Sequence, residues 1–433
     1  MIRSSVVVLA TLAVAPAALS GQAPLSPADS SAAIQALRDY EAACRADAGA
    51  LWGLSLCGPL VLVDPRTRFA VATDSPPGGS FTRHGGRFYG TMPTGIPVAN
   101  TSLTWVGREW GIALLPLSGD RHARADLLLH ESFHRVQDSL GLGGPDALSV
   151  HLDDRDGRYW FRLELRALAA ALRSSGRAAR RAALDALLFR AERHRRYPSA
   201  DSLERALELQ EGLAAYTGNR LAMDALRTLP ARVAQGIDEF AARPTYVRSA
   251  AYATGPGLGL LLDRYARGWR TRVHAEGLAP QLARALHFDA ATDLDARASR
   301  RAAGYGGAAV AVEEDARAER RRREAIASRR KYVEGAVLVL RQERLDRSFN
   351  PNTLIPFGVD GTIYPTGTFS GPWGTLEVTG GALVAPDFAM VRVPAPRDTM
   401  GTPLRGDGWS LTLAEGWTLR AGARSGDFEA VPR

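Results

Sequence analysis

Two histidines stand four positions apart, with a glutamate directly after the first, in the stretch Asp126-Leu-Leu-Leu-His-Glu-Ser-Phe-His134. On a helix, residues i and i+4 share a face, one turn apart. Two imidazoles so placed can hold one tetrahedral zinc ion through their Nε2 atoms. Glu131, next to the first of them, is badly placed as a ligand but well placed to reach a zinc-bound water. Zinc brings the pKa of such a water toward about 7, and a carboxylate can take its proton as general base. His130-Glu131-x-x-His134 is therefore the spacing of a metal-dependent hydrolase. Leu127, Leu128, Leu129, Phe133 and Val136 surround it, so the helix is expected to be largely buried, where histidine and glutamate need partners. The competing reading is a histidine pair satisfied inside a helical core. Arg135 is a departure, a charge where such helices usually carry an uncharged residue.

Zinc needs a third protein ligand. The chain has eight histidines, and the six outside this stretch form no further spaced motif. The better source is "ALELQEGLAAYTGNR", where Glu211 is followed by Gly212, Leu213, Ala214 and, two positions on, Tyr216. Glu208, one turn earlier, and Glu164, in "YWFRLELRALAAAL", are the rival carboxylates.

His130-Glu131-x-x-His134 followed by Glu211-Gly-Leu-Ala-x-Tyr216 resembles the gluzincin metallopeptidases, particularly the peptidase-MA-like group. The resemblance covers about residues 120 to 220, and it implies Glu211 as the third metal ligand, with Glu164 and Glu208 as alternatives. The interval between His134 and Glu211 is longer than in thermolysin-like enzymes and holds two extra helices. Position 215, where those enzymes carry an aspartate, is Ala215; Glu208 or Asp138 would have to supply the outer contact. A hydrolase of this kind also needs a donor for the developing oxyanion. "PTYVRSAAYATGPG" offers Tyr246, Arg248 and Tyr252, with Tyr252 the preferred candidate and simple packing the alternative. Trp110 to Leu117 precedes the zinc helix, as the substrate-pairing edge strand does in thermolysin-like enzymes, and an extended peptide is expected to pair there.

The elements that must position these residues follow from local pattern. Ser26 to Ala48 reads as a helix. Pro59 to Leu117 reads as strands, including two β-rich runs around the turn in "PLVLVDPRTRFAVATD". Helices are expected over Arg121–Leu140, Tyr159–Ser174, Ala178–His194, Ser202–Tyr216 and Ala231–Ala242, in another after Gly255 and Pro256, and in a charged one over Glu313–Arg330. "DDRDG" (Asp153–Gly157) reads as a loop. From Val333 the chain turns to short β runs with Gly and Pro turns. The expected class is α+β: an N-terminal β-sheet over a mainly helical zincin-like core, with a C-terminal all-β region. The expected organisation is a signal peptide at 1–20, a helix and sheet at 21–120, a catalytic domain at 121–332 and a β region at 333–433.

The 433 residues, 45% hydrophobic and 23% charged, are ample for a buried core. The net charge of +8 comes almost wholly from arginine, since Lys331 is the single lysine. With no nucleic-acid reader motif beside that charge, no nucleic-acid partner is expected. The run "RAERRRREAIASRRK" reads first as a solvated helix face. "GPGLG" lacks the preceding strand and lysine of a phosphate loop. "DDRDG" lacks the full ligand alternation of a calcium loop.

The start of the chain, "MIRSSVVVLATLAVAPAALSGQAP", has the charge, short apolar run and small residues of a secretory signal. No later run is long enough to span a bilayer, so a periplasmic or extracellular protein without an integral membrane segment is expected. Cys44 and Cys57, the only cysteines, are expected to form a disulfide in that setting. These readings converge on an exported zinc-dependent metallohydrolase, a peptidase before other choices, acting on a peptide or protein substrate. A non-peptidase zinc amidohydrolase and an exported binding or structural protein that keeps a zincin-like fold are the alternatives.

Overall fold

The computed structural model describes residues 27–76, 81–144, 147–222, 227–290, 293–342, 346–349 and 353–433. The N-terminal segment read as a signal peptide lies outside them. The chain is α+β, as expected: a sheet, a helical middle and an all-β end. It forms two compact units, which among the described residues comprise 27–316 and 317–433. No described helix is long and apolar enough to cross a membrane.

The first unit opens with helix α1 (Pro27–Asp47). Six strands follow: β1 (Leu60–Val63), β2 (Phe69–Ala72), β3 (Phe81–His84), β4 (Arg87–Thr91), β5 (Thr101–Trp105) and β6 (Arg108–Leu114). They form one sheet in the order β3-β4-β2-β1-β6-β5. The β1–β6 pair is parallel, with Leu62 opposite Ala113, and the other pairs are antiparallel. Alternation along β1 explains its full burial: Leu60 and Leu62 join the helical core, while Val61 and Val63 pack with Trp105, Trp110 and Ile112 on the other face.

The helices are α2 (Arg121–Gln137), α3 (Arg155–Arg173), α4 (Gly176–Arg196), α5 (Ala200–Leu207), α6 (Leu213–Ala222), α7 (Leu229–Phe240) and α8 (Ala251–Tyr265), followed by short helices and the long charged helix Gly307–Arg329. Four departures from the sequence reading matter. The loop expected at "DDRDG" is the start of α3, because Asp154 caps it by accepting the Asp156 N–H at 2.9 Å. The helix expected over Ser202–Tyr216 is divided by a π turn at Glu208–Gly212. Helix α8 starts before Gly255, with Pro256 inside it. Finally, β6 is not an edge strand. Both its sides are paired, to β1 and β5, so an extended peptide has no free backbone there, and the sheet's outer strand on that side is β5.

The second unit begins within the charged helix Gly307–Arg329, at Arg317. Beyond the helix its strands form a seven-stranded and a five-stranded sheet. Leu338, Leu340, Val391 and Val393 of the first share an apolar core with Phe369, Leu376, Trp409 and Leu411 of the second.

Candidate metal centre

Helix α2 carries both histidines and is held from behind. Asp120 caps it, its carboxylate accepting the Ala123 N–H at 2.7 Å. On the side toward α1, Ser132 Oγ lies 2.9 Å from Tyr40 Oη, which also bonds the Leu56 carbonyl at 2.9 Å. Arg135 donates to the carbonyls of Leu56 at 3.2 Å and Cys57 at 3.1 Å. Its guanidinium lies so close over Gly58 that a Cβ there would stand 2.2 Å from Cζ. The loop it grips is tied to α1 by the Cys44–Cys57 disulfide. The unusual charge of Arg135 is thus used on backbone carbonyls rather than among the histidines.

The opposite face of α2 presents His130 and His134. Their Nε2 atoms are 3.0 Å apart, and each is 3.4 Å from Glu211 Oε2. All three side chains are nearly closed to solvent. Among the described residues this is the group of His, Cys, Asp and Glu side chains whose donor atoms converge closely enough to hold a metal ion. The two 3.4 Å separations match the edges, about 3.3–3.4 Å, of a tetrahedron with bonds of about 2.0–2.1 Å, and the 3.0 Å between the imidazole nitrogens is shorter than such an edge. The polar atoms left over point the same way, because Glu211 Oε1 and Glu131 Oε2 are buried without a hydrogen-bond partner, a costly state that a cation would relieve.

Each donor is held in turn. Tyr252, whose ring stacks on His130 at 5.4 Å and 12°, donates its hydroxyl to Glu211 Oε2 at 2.6 Å. The residue read as an oxyanion donor therefore lies in the site, with its hydroxyl on the Glu211 carboxylate. His134 Nδ1 is 2.7 Å from Gln137 Oε1. Tyr246 instead packs in the interior, donating to the Ala241 carbonyl at 2.6 Å beneath the Arg158 guanidinium, and Arg248 is exposed.

The electrostatics without an ion are those of a strained acid–base cluster. Burial pushes Glu131 up to about 8, with the Glu211 carboxylate adding to the rise and His134 opposing it. Burial alone would lower His134, but Glu211, then Glu131 and Gln137, drive it up to about 9. Burial would raise Glu211, and His134 and His130 instead hold it well below the usual carboxylate range. A dication among these groups would favour neutral imidazoles and an ionised Glu131.

The rival carboxylates are occupied elsewhere. Glu164 accepts from Arg190 Nε at 2.8 Å and Arg193 Nη2 at 2.6 Å. Glu208 accepts from Arg190 Nη1 at 3.1 Å and Thr254 Oγ1 at 2.8 Å. Both belong to a buried arginine–glutamate network that also takes in Glu204, His151 and His194. Glu208 and Glu211 stand three apart, a spacing that would put both on one face of an α-helix. The π turn between them sends one to Arg190 and the other to the histidines.

Two features of the site escaped the sequence reading. Gln137 follows His134 at i+3, so the shared helix face was a usable signal. The π turn had a weaker one, Gly212. A Cβ at Gly255 of α8 would stand 2.3 Å from the Gly212 Cα and carbonyl oxygen, and one at Gly259 would stand 2.3 Å from the Tyr216 ring. Gly212 and Gly255 let α8 cross the π turn backbone to backbone, and Gly259 leaves room for the Tyr216 ring of α6; the crossing brings Tyr252 to Glu211. No protein-family model, curated protein or solved structure matches this chain.

Proposed function

We propose that the chain is an exported zinc-dependent metallohydrolase of the gluzincin type, with a peptidase activity on peptide or protein substrates. The observation that carries this reading is the convergence of His130, His134 and Glu211 beside Glu131, a carboxylate with a buried, unpartnered oxygen. A zinc ion, when bound, acts as a Lewis acid toward water and toward a substrate carbonyl. His130 and His134 present nitrogen donors to it and Glu211 an oxygen. Glu131 takes the proton of the attacking water and can return it to the leaving amine. Tyr252 orients Glu211 through its hydroxyl and, standing against His130, is the nearest candidate to support a developing oxyanion. Export is consistent with the Cys44–Cys57 disulfide.

The test is elemental analysis beside peptide-library turnover. Wild type should hold about one zinc per chain, and Glu211→Ala and His134→Ala should lose it. Glu131→Gln should keep it while turnover falls by roughly 10²- to 10⁴-fold, the usual range for a lost general base. Zinc retained with equal behaviour of wild type and Glu131→Gln across the library would favour the non-catalytic binding protein. Turnover of other amides but no peptide would favour the amidohydrolase. A wild type without zinc, even after supplying it, would end the hydrolase reading.

A further inference from the structure

Gln137 is 2% exposed and touches both elements that bring ligands to the centre. Its Nε2 donates to the carbonyls of Leu209 at 2.9 Å and Gln210 at 3.0 Å, in the π turn that carries Glu211, and to that of Leu142 at 3.2 Å. Carbonyl oxygens only accept, so these contacts settle which end of the amide is the NH2 group. The other end, Oε1, must then be the atom facing His134 Nδ1 at 2.7 Å. An amide oxygen also only accepts, so His134 Nδ1 carries a proton. The lone pair of a neutral His134 is thereby assigned to Nε2, the nitrogen that points at Glu211 and His130.

The same amide also steadies the third ligand. A π turn widens the backbone ring and loosens the usual i to i+4 pairing of its carbonyls. Two carbonyls of that turn, those of Leu209 and Gln210, accept from the Gln137 amide, which ties the turn to α2. One side chain therefore sets the tautomer of one ligand and the backbone position of another, from helices far apart in the chain.

We infer that Gln137 is the positioning residue of the metal centre: it keeps His134 Nε2 free for the ion, holds the Glu211 turn in register with it, and so sets metal affinity. This rests on the metal-site reading above, but it has consequences in the metal-free protein as well. Outer partners of metal-bound histidines typically change affinity by about 10- to 100-fold when removed.

Two substitutions separate its two contacts. Gln137→Met removes both. Gln137→Glu keeps an acceptor for His134 Nδ1–H and loses the donors to the turn. The first readout is the His134 Nδ1–H proton resonance in metal-free protein, expected to exchange slowly in wild type and Gln137→Glu and to disappear in Gln137→Met. The second is the zinc dissociation constant by chelator competition, expected to rise about 10- to 100-fold in Gln137→Met and by less in Gln137→Glu. Circular dichroism identifies any variant that fails to fold, in which case Gln137→Glu and the wild-type resonance still decide. Absence of a protected Nδ1–H in wild type overturns the inference, as does a folded Gln137→Met that binds zinc within twofold of wild type. If wild type binds no zinc but shows the protected resonance, the metal reading fails while the assignment of Gln137 to the His134 ring stands.

Discussion

Asp126 and Glu131 lie five residues apart on α2, and both carboxyls are forced toward the protonated state. For Asp126 the cause is burial, opposed by the Arg232 charge and by the Asn219 side chain, and its pKa rises to about 7. Asn219 reaches both carboxylate oxygens, at 3.2 and 3.1 Å, and its amide also donates to the Ala215 carbonyl at 3.0 Å, so this pair ties α2 to α6. The sign follows from linkage. An unfolded aspartate titrates near about 3.9, so between about 4 and about 7 the folded state binds the proton that the unfolded state has lost. Stability therefore falls as pH rises through that window. Asp126→Asn should reduce the slope in that window, leaving the part that belongs to Glu131, raised to about 8. Denaturant midpoints measured at half-unit steps from pH 4 to 8 check it, and parallel profiles for the two proteins would refute the assignment.

The decisive element is the π turn with the two helices that touch it. Its approach to α8 allows no side chain at Gly255, since the atoms a Cβ would meet belong to the Gly212 backbone. Gly255→Ala should cost about 1–3 kcal/mol, the range for overpacking, and weaken metal binding by moving Tyr252 away from Glu211. Denaturant unfolding and zinc titration of the one variant measure both; an unchanged zinc affinity would mean that the crossing does not position the ligand. On the other side of the turn, the arginine–glutamate network makes a different prediction. Glu164→Ala would leave Arg190 and Arg193 short of a buried counter-charge and should lose about 3–5 kcal/mol. The folded fraction should still carry its zinc, because Glu164 takes no part in the ligand set. Metal lost from folded Glu164→Ala would reinstate it as a ligand.

For the molecule as a whole, the disulfide is the feature that connects fold stability to compartment. It closes a loop of sequence separation 13 between α1 and the segment gripped by Arg135 and Tyr40. In the chain-entropy account a loop of this size contributes about 3 kcal/mol. Reduction, or the pair Cys44→Ser and Cys57→Ser, should lower the unfolding free energy by that order and loosen the rear support of α2. Equal denaturation curves with and without reductant would remove the disulfide from the stability of the unit. The all-β unit has its own apolar core, so its unfolding should register as a separate cooperative step.

What the sequence determined by itself was local or periodic. The i, i+4 spacing put His130 and His134 on one face. Alternating and helical patterns placed the sheet, the helices and the β end in order, and hence the α+β class. The cysteine pairing followed from there being only two. Tertiary structure decided what depends on partners distant in the chain. Glu211, Glu208 and Glu164 are chemically alike in the sequence, and only the positions of Arg190 and Arg193 show which two carboxylates are already neutralised. β6 reads as a strand either way, and only the parallel pairing with β1 denies it an edge. The π turn and the glycine crossing behind it arise from packing between helices, which no local propensity encodes. The direction of Arg135, read as a discordant charge, became intelligible only once the Leu56 and Cys57 carbonyls were found beside it.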